Sequence, residues 1–233
     1  MRLLSLVLAA GLLLPAGLRA AEFAVGQNLA GEIELRDFKV ELPPGNWTVY
    51  YVRNRDEGKS PRTDLGLALL SEGVIRQTAY ITAARSAGGS GFKAYRNCES
   101  EFYIRQEIVD NRTGYKQECW HVRPVDLSKG EKPPASREAL FKLADTEQAF
   151  LPVAMVGNRF HHANRKGLLR YAVSWNPDLI LPSLAAGKIW VFQDWTAEVV
   201  KTDPRKIAVV TVVGSWGEEW APLVKGWFDA GTP

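Results

Sequence analysis

Cys98, Cys119 and His121 are the residues of this 233-residue chain whose types and spacing come nearest to covalent chemistry. The two cysteines are the only ones in the sequence. In an exported chain an even pair reads as a disulfide. Closing a loop of about 20 residues stabilises a fold by roughly 3 kcal/mol in the chain-entropy description. The alternative is a free Cys119 thiol beside His121. Such a thiol becomes a nucleophile only with a depressed pKa and a histidine that a third group orients.

Other reactive patterns are missing from the sequence. It has no glycine-rich phosphate loop and no His-Glu-x-x-His. Ser90 sits in Gly88-Gly89-Ser90-Gly91, but Phe92 stands where a nucleophile elbow needs its last glycine. Three histidines with one adjacent pair, His161-His162, do not predict a metal centre. No catalytic residue, metal or cofactor is therefore predicted. Cys119-Trp120 is similar to the nucleophile segment of papain-like thiol proteases. However, Lys116-Gln117-Glu118 replaces that family's preceding residues, and His161 and His162 follow too soon. An envelope hydrolase using Cys119 is the alternative function on this reading.

One stretch carries binding chemistry. From Arg159 to Arg170 the chain holds Arg159, His161, His162, Arg165, Lys166 and Arg170 and no acidic residue. With His161–Gly167 as the connection between two strands, this is a basic tip. It would dock an anionic envelope component, such as phospholipid head groups or lipopolysaccharide phosphates, or an acidic partner protein. Docking would strengthen as the histidines protonate. A solvated turn without a ligand is the competing reading.

The elements that must hold these residues begin after an export signal. Met1-Arg2, an apolar run from Leu3 to Leu18, and Arg19-Ala20-Ala21 form a cleavable signal peptide, cut after Ala20 or Ala21. A bilayer anchor needs roughly 20 apolar residues, and this run is shorter and broken by Pro15 and two glycines. No cysteine follows it to carry a lipid, and no later segment is apolar enough to span a membrane. The single arginine ahead of the run points to a bacterial periplasmic or extracellular protein. The whole chain carries 29 Lys+Arg and 26 Asp+Glu; Arg2 and Arg19 leave with the signal, so the mature balance is near +1. That excludes the basic footprint of a nucleic-acid binder.

Residues 21–233 read as one α+β domain: antiparallel hairpins forming a sheet, a middle helix, and a long C-terminal helical segment packed on one face. Phe38, Val40 and Leu42 alternate, Pro43-Pro44-Gly45 turns, and Trp47, Val49 and Tyr51 alternate back, which predicts a hairpin. Arg53 to Asp64 reads as a loop. Leu65–Leu70 and Val74–Thr82 form a second hairpin across Ser71-Glu72-Gly73, and Ser86–Gly91 is a glycine-rich loop. A third hairpin joins Phe102–Ile108 to Tyr115–Val122, with Cys119 opposite Arg105 in simple register. Ser136 caps a helix running to about Ala149. Strands follow at Val153–Phe160 and Leu168–Trp175. Asp203-Pro204 starts the tail helix, whose apolar stripe is Val209, Val213, Trp216, Trp220, Leu223 and Trp227, interrupted at Pro222.

Leu42-Pro43-Pro44-Gly45-Asn46-Trp47, Cys119-Trp120 and Leu151-Pro152-Val153-Ala154-Met155, with Asn176-Pro177 closing the following strand, resemble a loose set of uncharacterised exported proteobacterial proteins. The resemblance implies location and no activity. The leading expectation is a non-enzymatic envelope protein that binds a ligand or partner, with a purely structural role as a third possibility.

Overall fold

The computed structural model describes residues 23–55, 60–86, 91–92, 98–100, 102–112, 116–181 and 189–232. The predicted signal peptide, Ser90 and most of the glycine-rich loop lie outside these residues. The fold is α+β. The strands are β1 (Asn28–Leu29), β2 (Glu32–Leu35), β3 (Phe38–Glu41), β4 (Trp47–Arg55), β5 (Arg62–Ser71), β6 (Val74–Arg85), β7 (Arg105–Arg112), β8 (Lys116–Asp126), β9 (Ala154–Asn164) and β10 (Gly167–Trp175). Eight of them form one antiparallel sheet in the order β1-β4-β5-β6-β10-β9-β8-β7, while β2 and β3 form a separate ribbon. Two meanders are thus sewn together where β6 meets β10.

Alternation along each strand gives the sheet two different faces. On one face Ile81, Tyr171, Phe160 and Trp120 stand opposite one another across four strands. They join a core with Phe38 and Val40 of the ribbon and with Val209, Val213, Val224 and Phe228 of the C-terminal helix α4. Helix α1 (Ala135–Thr146), α2 (Pro177–Ile180), a 3-10 turn (Phe192–Trp195), α3 (Ala197–Thr202) and α4 (Pro204–Gly231) complete the described elements. Helix α1 lies on the opposite face, where Leu140 and Ala144 pack with Tyr50, Ala68, Ile75 and Met155.

The Leu65–Leu70 and Val74–Thr82 hairpin is present as β5–β6, with Glu72 and Gly73 both at positive φ in the turn. Asp203 caps α4 as expected, accepting from the Arg205 amide, with Pro204 in the first turn. The first predicted hairpin is corrected. Strand β3 pairs with β2, and β4 pairs with β1 and β5. Pro43-Pro44-Gly45 carries the chain from ribbon to sheet, held by the Trp47 indole donating to the Pro43 carbonyl at 2.7 Å. The ribbon's own turn is Arg36-Asp37, both at positive φ without a glycine to announce it.

Four further readings change. Arg53–Arg55 and Arg62–Asp64 are paired strand ends, not loop. Cys119 stands opposite Ile108, and Arg105 opposite Val122, because the pairing runs on through Asp110 to Arg112↔Lys116, and a bulge between Ile108 and Asp110 shifts the register by one residue. Helix α1 starts two residues earlier, with Pro134 and not Ser136 as its N-cap, and ends at Thr146, followed by Gln148 at positive φ. Helix α4 continues through Pro222, whose ring is on the exposed side. Leu223 is 46% exposed, and the buried stripe runs instead through Val224 and Phe228.

Close approach fixes where the layers touch. A Cβ at Gly217 would lie 2.6 Å from the Asn158 Oδ1, and the Asn158 amide donates to the Val213 carbonyl of α4. At Gly157 in β9 a Cβ would meet the Ser174 Oγ at 2.4 Å and the Val173 carbonyl oxygen at 2.7 Å. The latter is backbone and has no rotamer to change. Gly157→Ala is expected to destabilise the fold by about 1–3 kcal/mol, the range of overpacking. Urea unfolding midpoints compared with wild type check this.

Candidate functional site

The face of the sheet that carries α1 is apolar beneath that helix and again where Ala84, Ala163 and Leu168 pack together. Between these two patches, alternate residues of four adjacent strands are mostly polar. One row across the sheet is Thr78, Ser174, Gly157 and Arg123; the next is Tyr80, Ala172, Arg159 and His121; the third is Thr82, Arg170, His161 and Cys119. The rows follow from spacing of two along β6, β8, β9 and β10, which keeps these side chains on one face.

The third row, with His121 at the end of the second, is closed over. Cys98 is bonded to Cys119, with their Cα atoms 5.9 Å apart and both residues buried. Tyr103 stacks on His121 with ring centres 3.7 Å apart, and the Ile104 amide donates to the Val122 carbonyl. The segment between β6 and β7 is therefore pinned on the sheet by a covalent bond and a ring stack. With Cys119 in a disulfide, no thiol stands beside His121, and the hydrolase reading has no nucleophile there.

Beneath this cover the histidines are neutral. The Arg170 Nε donates to the His161 Nδ1 at 3.1 Å, so the proton sits on Nε2, 3.2 Å from the Gln117 Oε1 that accepts it. Burial pushes His161 down to about 2, with Arg170, His162 and Arg159 adding to the depression. His121 is also lowered to about 2, first by burial and then by Arg159, Arg123 and His161. Both of its ring nitrogens are buried without a hydrogen-bond partner.

The first row and the Tyr80, Ala172 and Arg159 part of the second remain open. With the start of α1 they bound a cavity of about 300 Å³, at the lower end of the roughly 300–1,000 Å³ usual for small-molecule sites. Arg123 of β8, Arg159 of β9 and Arg137 of α1 line it, and among the described residues none of its lining is acidic. Tyr80, Ser136, Thr78 and Ser174 bring hydroxyls to the same walls. Burial, with Asp64 and Tyr51 nearby, pushes the Tyr80 phenol up to about 12, and burial raises Tyr50 still further. Both are therefore proton donors at neutral pH. The N-terminus of α1, without a side-chain cap, adds the positive end of a helix dipole. Guanidinium forks and hydroxyl donors converging on one space suit an anion, since Arg pairs bidentately with phosphate and carboxylate.

The six residues predicted as a basic tip are distributed over four places. The turn between β9 and β10 is only Arg165-Lys166, organised by the Asn164 Oδ1 accepting from the Lys166 and Gly167 amides. His161 and His162 lie inside β9, 0% and 5% exposed, on opposite faces; His162 stacks on Phe228. Burial also lowers His162, to about 4. The predicted strengthening by histidine protonation is therefore corrected: all three rings resist protonation in the folded state. Arg170 is committed to His161, and Arg159 points to the pocket. Sequence reasoning missed Arg123 and Arg137. The period-two run Cys119, His121, Arg123 beside Arg159, His161 was the available signal, but it needed the strand pairing to be read as one surface.

Among the described residues no group of three or more His, Cys, Asp or Glu could hold a metal ion, and no helix is long and apolar enough to cross a membrane. No protein-family model, curated protein or solved structure matches this chain.

Proposed function

We propose that this is an exported binding protein of the bacterial envelope that holds a small anionic group in the pocket between α1 and the sheet. The observation that carries the reading is the convergence of Arg123, Arg137 and Arg159, with four hydroxyl side chains, on one cavity. Export is supported by the apolar N-terminal run and by the disulfide, which persists in oxidising compartments. The pocket holds hydroxyl donors and no activated nucleophile, which supports binding and not turnover.

Thermal melts at constant ionic strength test this. Replacing chloride with phosphate or ethyl phosphate is expected to raise the melting temperature by several degrees at saturating ligand, since a ligand at about 100 times its Kd adds roughly 2.7 kcal/mol. Arg137→Gln, on the helix rim, is expected to remove most of that rise, and Arg165→Gln at the turn to leave it intact. Equal melting temperatures in chloride and phosphate would refute the reading.

A further inference from the structure

We infer that the outer edge of β4 takes up, as an added strand, an extended acidic segment of a partner protein that ends in apolar residues. Strand β1 pairs only with Trp47 and Thr48, and just past it Val49 bonds to the Gln27 carbonyl and the Gly26 amide. There the chain turns away from the edge. The Gln27 amide donates to the Ala24 carbonyl, and Gly26 takes a φ of +88°. From Tyr51 to Arg55, among the described residues, β4 is therefore paired with β5 alone. Alternate residues of such an edge turn N–H and C=O groups to water, and an extended peptide satisfies both. This inference does not use the arginine pocket.

The surroundings of the edge define the peptide. A strand that continues the line of β1 runs antiparallel to β4. Its N-terminal end lies beside Arg55, and its C-terminal end meets the turn at Val25-Gly26. At that end is an apolar cleft of about 570 Å³ between α1 and the β1–β4 edge. Val25, Leu70, Ala139 and Leu143 line it, and Val25 is 68% exposed. Apolar side chains at the end of the peptide would cover this surface. The other end is basic. Arg53 and Arg55 are both exposed, and among the described residues neither is in an ion pair. Asp64, opposite Arg53, is 2% exposed and already held by Arg62 and the Thr82 hydroxyl. Asp56 and Glu57, next in sequence, lie outside the described residues. A second copy of this chain is a poor occupant, because self-pairing centred on Asn54 sets Arg53 against Arg55 of the other copy. An acidic strand brings carboxylates to the same places. At the opposite edge of the sheet, the β7 arginines are held by Glu218 and Asp110.

Fluorescence anisotropy of the whole exported protein with labelled peptides of about seven residues, long enough to span this edge, tests the inference. The reference peptide alternates glutamate with valine and ends in leucine. Replacing its glutamates by lysine, or its last leucine by serine, should each weaken binding about tenfold or more. N-methylation of one alternate set of its amides should do the same, and methylation of the other set should not, because only one set faces β4. The double variant Arg53→Glu, Arg55→Glu lies on exposed positions and should reverse the preference, so that the lysine peptide binds better. No binding of the glutamate peptide would overturn the inference. Equal binding of the glutamate and lysine peptides would overturn the acidic partner. Equal effects of the two methylated sets would overturn strand addition, and indifference to the last leucine would overturn use of the cleft. Displacement of the peptide by phosphate at constant ionic strength would put its carboxylates in the arginine pocket and overturn the edge as the site.

Discussion

Acidification from pH 7 to pH 5 is expected to lower the unfolding free energy by about 2 kcal/mol for each of His121, His161 and His162, or about 6 kcal/mol in all. Their folded pKa values are about 2, about 2 and about 4 against an ordinary value of 6.5. The unfolded chain therefore binds more protons wherever the pH lies below 6.5 and above these values. Above pH 6.5 the rings are neutral in both states and contribute nothing to the slope. Below it, stability falls by about 1.4 kcal/mol per pH unit for each histidine, until the folded pKa is reached. A total of this size rivals the whole stability of an ordinary domain, which is about 5–15 kcal/mol. Denaturant unfolding at pH 7.5, 6 and 5 measures the effect. His121→Phe keeps a ring for Tyr103 to stack on and should reduce the slope by one proton. A flat profile between pH 7 and 5 would mean that the histidines are not buried as described.

Loss of the Cys98–Cys119 bond should lower stability by about 3 kcal/mol, from a bridge with a sequence separation of 21. The paired variant Cys98→Ser, Cys119→Ser measures this without a reductant. A second consequence follows from position. The bridge pins the segment bearing Tyr103 over His121. Without it water reaches the third row of the sheet, and His121 and His161 return toward their ordinary range. The variant should accordingly be less stable at pH 7 and lose less on acidification than wild type does. Equal pH slopes in the two proteins would show that the bond does not control the cover. The two cysteines are joined and buried, so a thiol reagent should label the protein only after reduction, and reduction should be slow until the protein is unfolded.

Local chemistry made much of the architecture legible. Glu72-Gly73 between two apolar alternations announces the β5–β6 hairpin, and Asp203-Pro204 announces α4, because these residues act on their own backbone. The cysteine pair is legible from count alone. Arg36-Asp37 is not, since neither residue advertises positive φ and the turn is held from outside: the Arg36 Nε donates to the Thr63 hydroxyl at 3.0 Å, and the Arg85 Nε to the Arg36 carbonyl at 3.1 Å. The one-residue slip at Val109 likewise leaves no compositional trace, yet it changes what faces Cys119. The site was hidden for a related reason. Polar residues alternating along a strand read as a wet face. Here Thr82, His121 and His161 alternate into a covered one, because β6 pairs with β10 across a long stretch of sequence and a disulfide-bonded segment lies on top. Only long-range pairing places Arg123 and Arg159 on neighbouring strands with Arg137 above them.

The central claim, an anion held by Arg123, Arg137 and Arg159, is tested most directly by NMR of the arginine Nε–H groups during titration with ethyl phosphate. Conservative Arg→Lys substitutions, one at a time, assign the three signals. The account predicts that these three move together along one saturating curve while the Arg165 signal at the β9–β10 turn stays in place. Movement of Arg165 without movement of the pocket arginines, or a drift of every arginine without saturation, would contradict it.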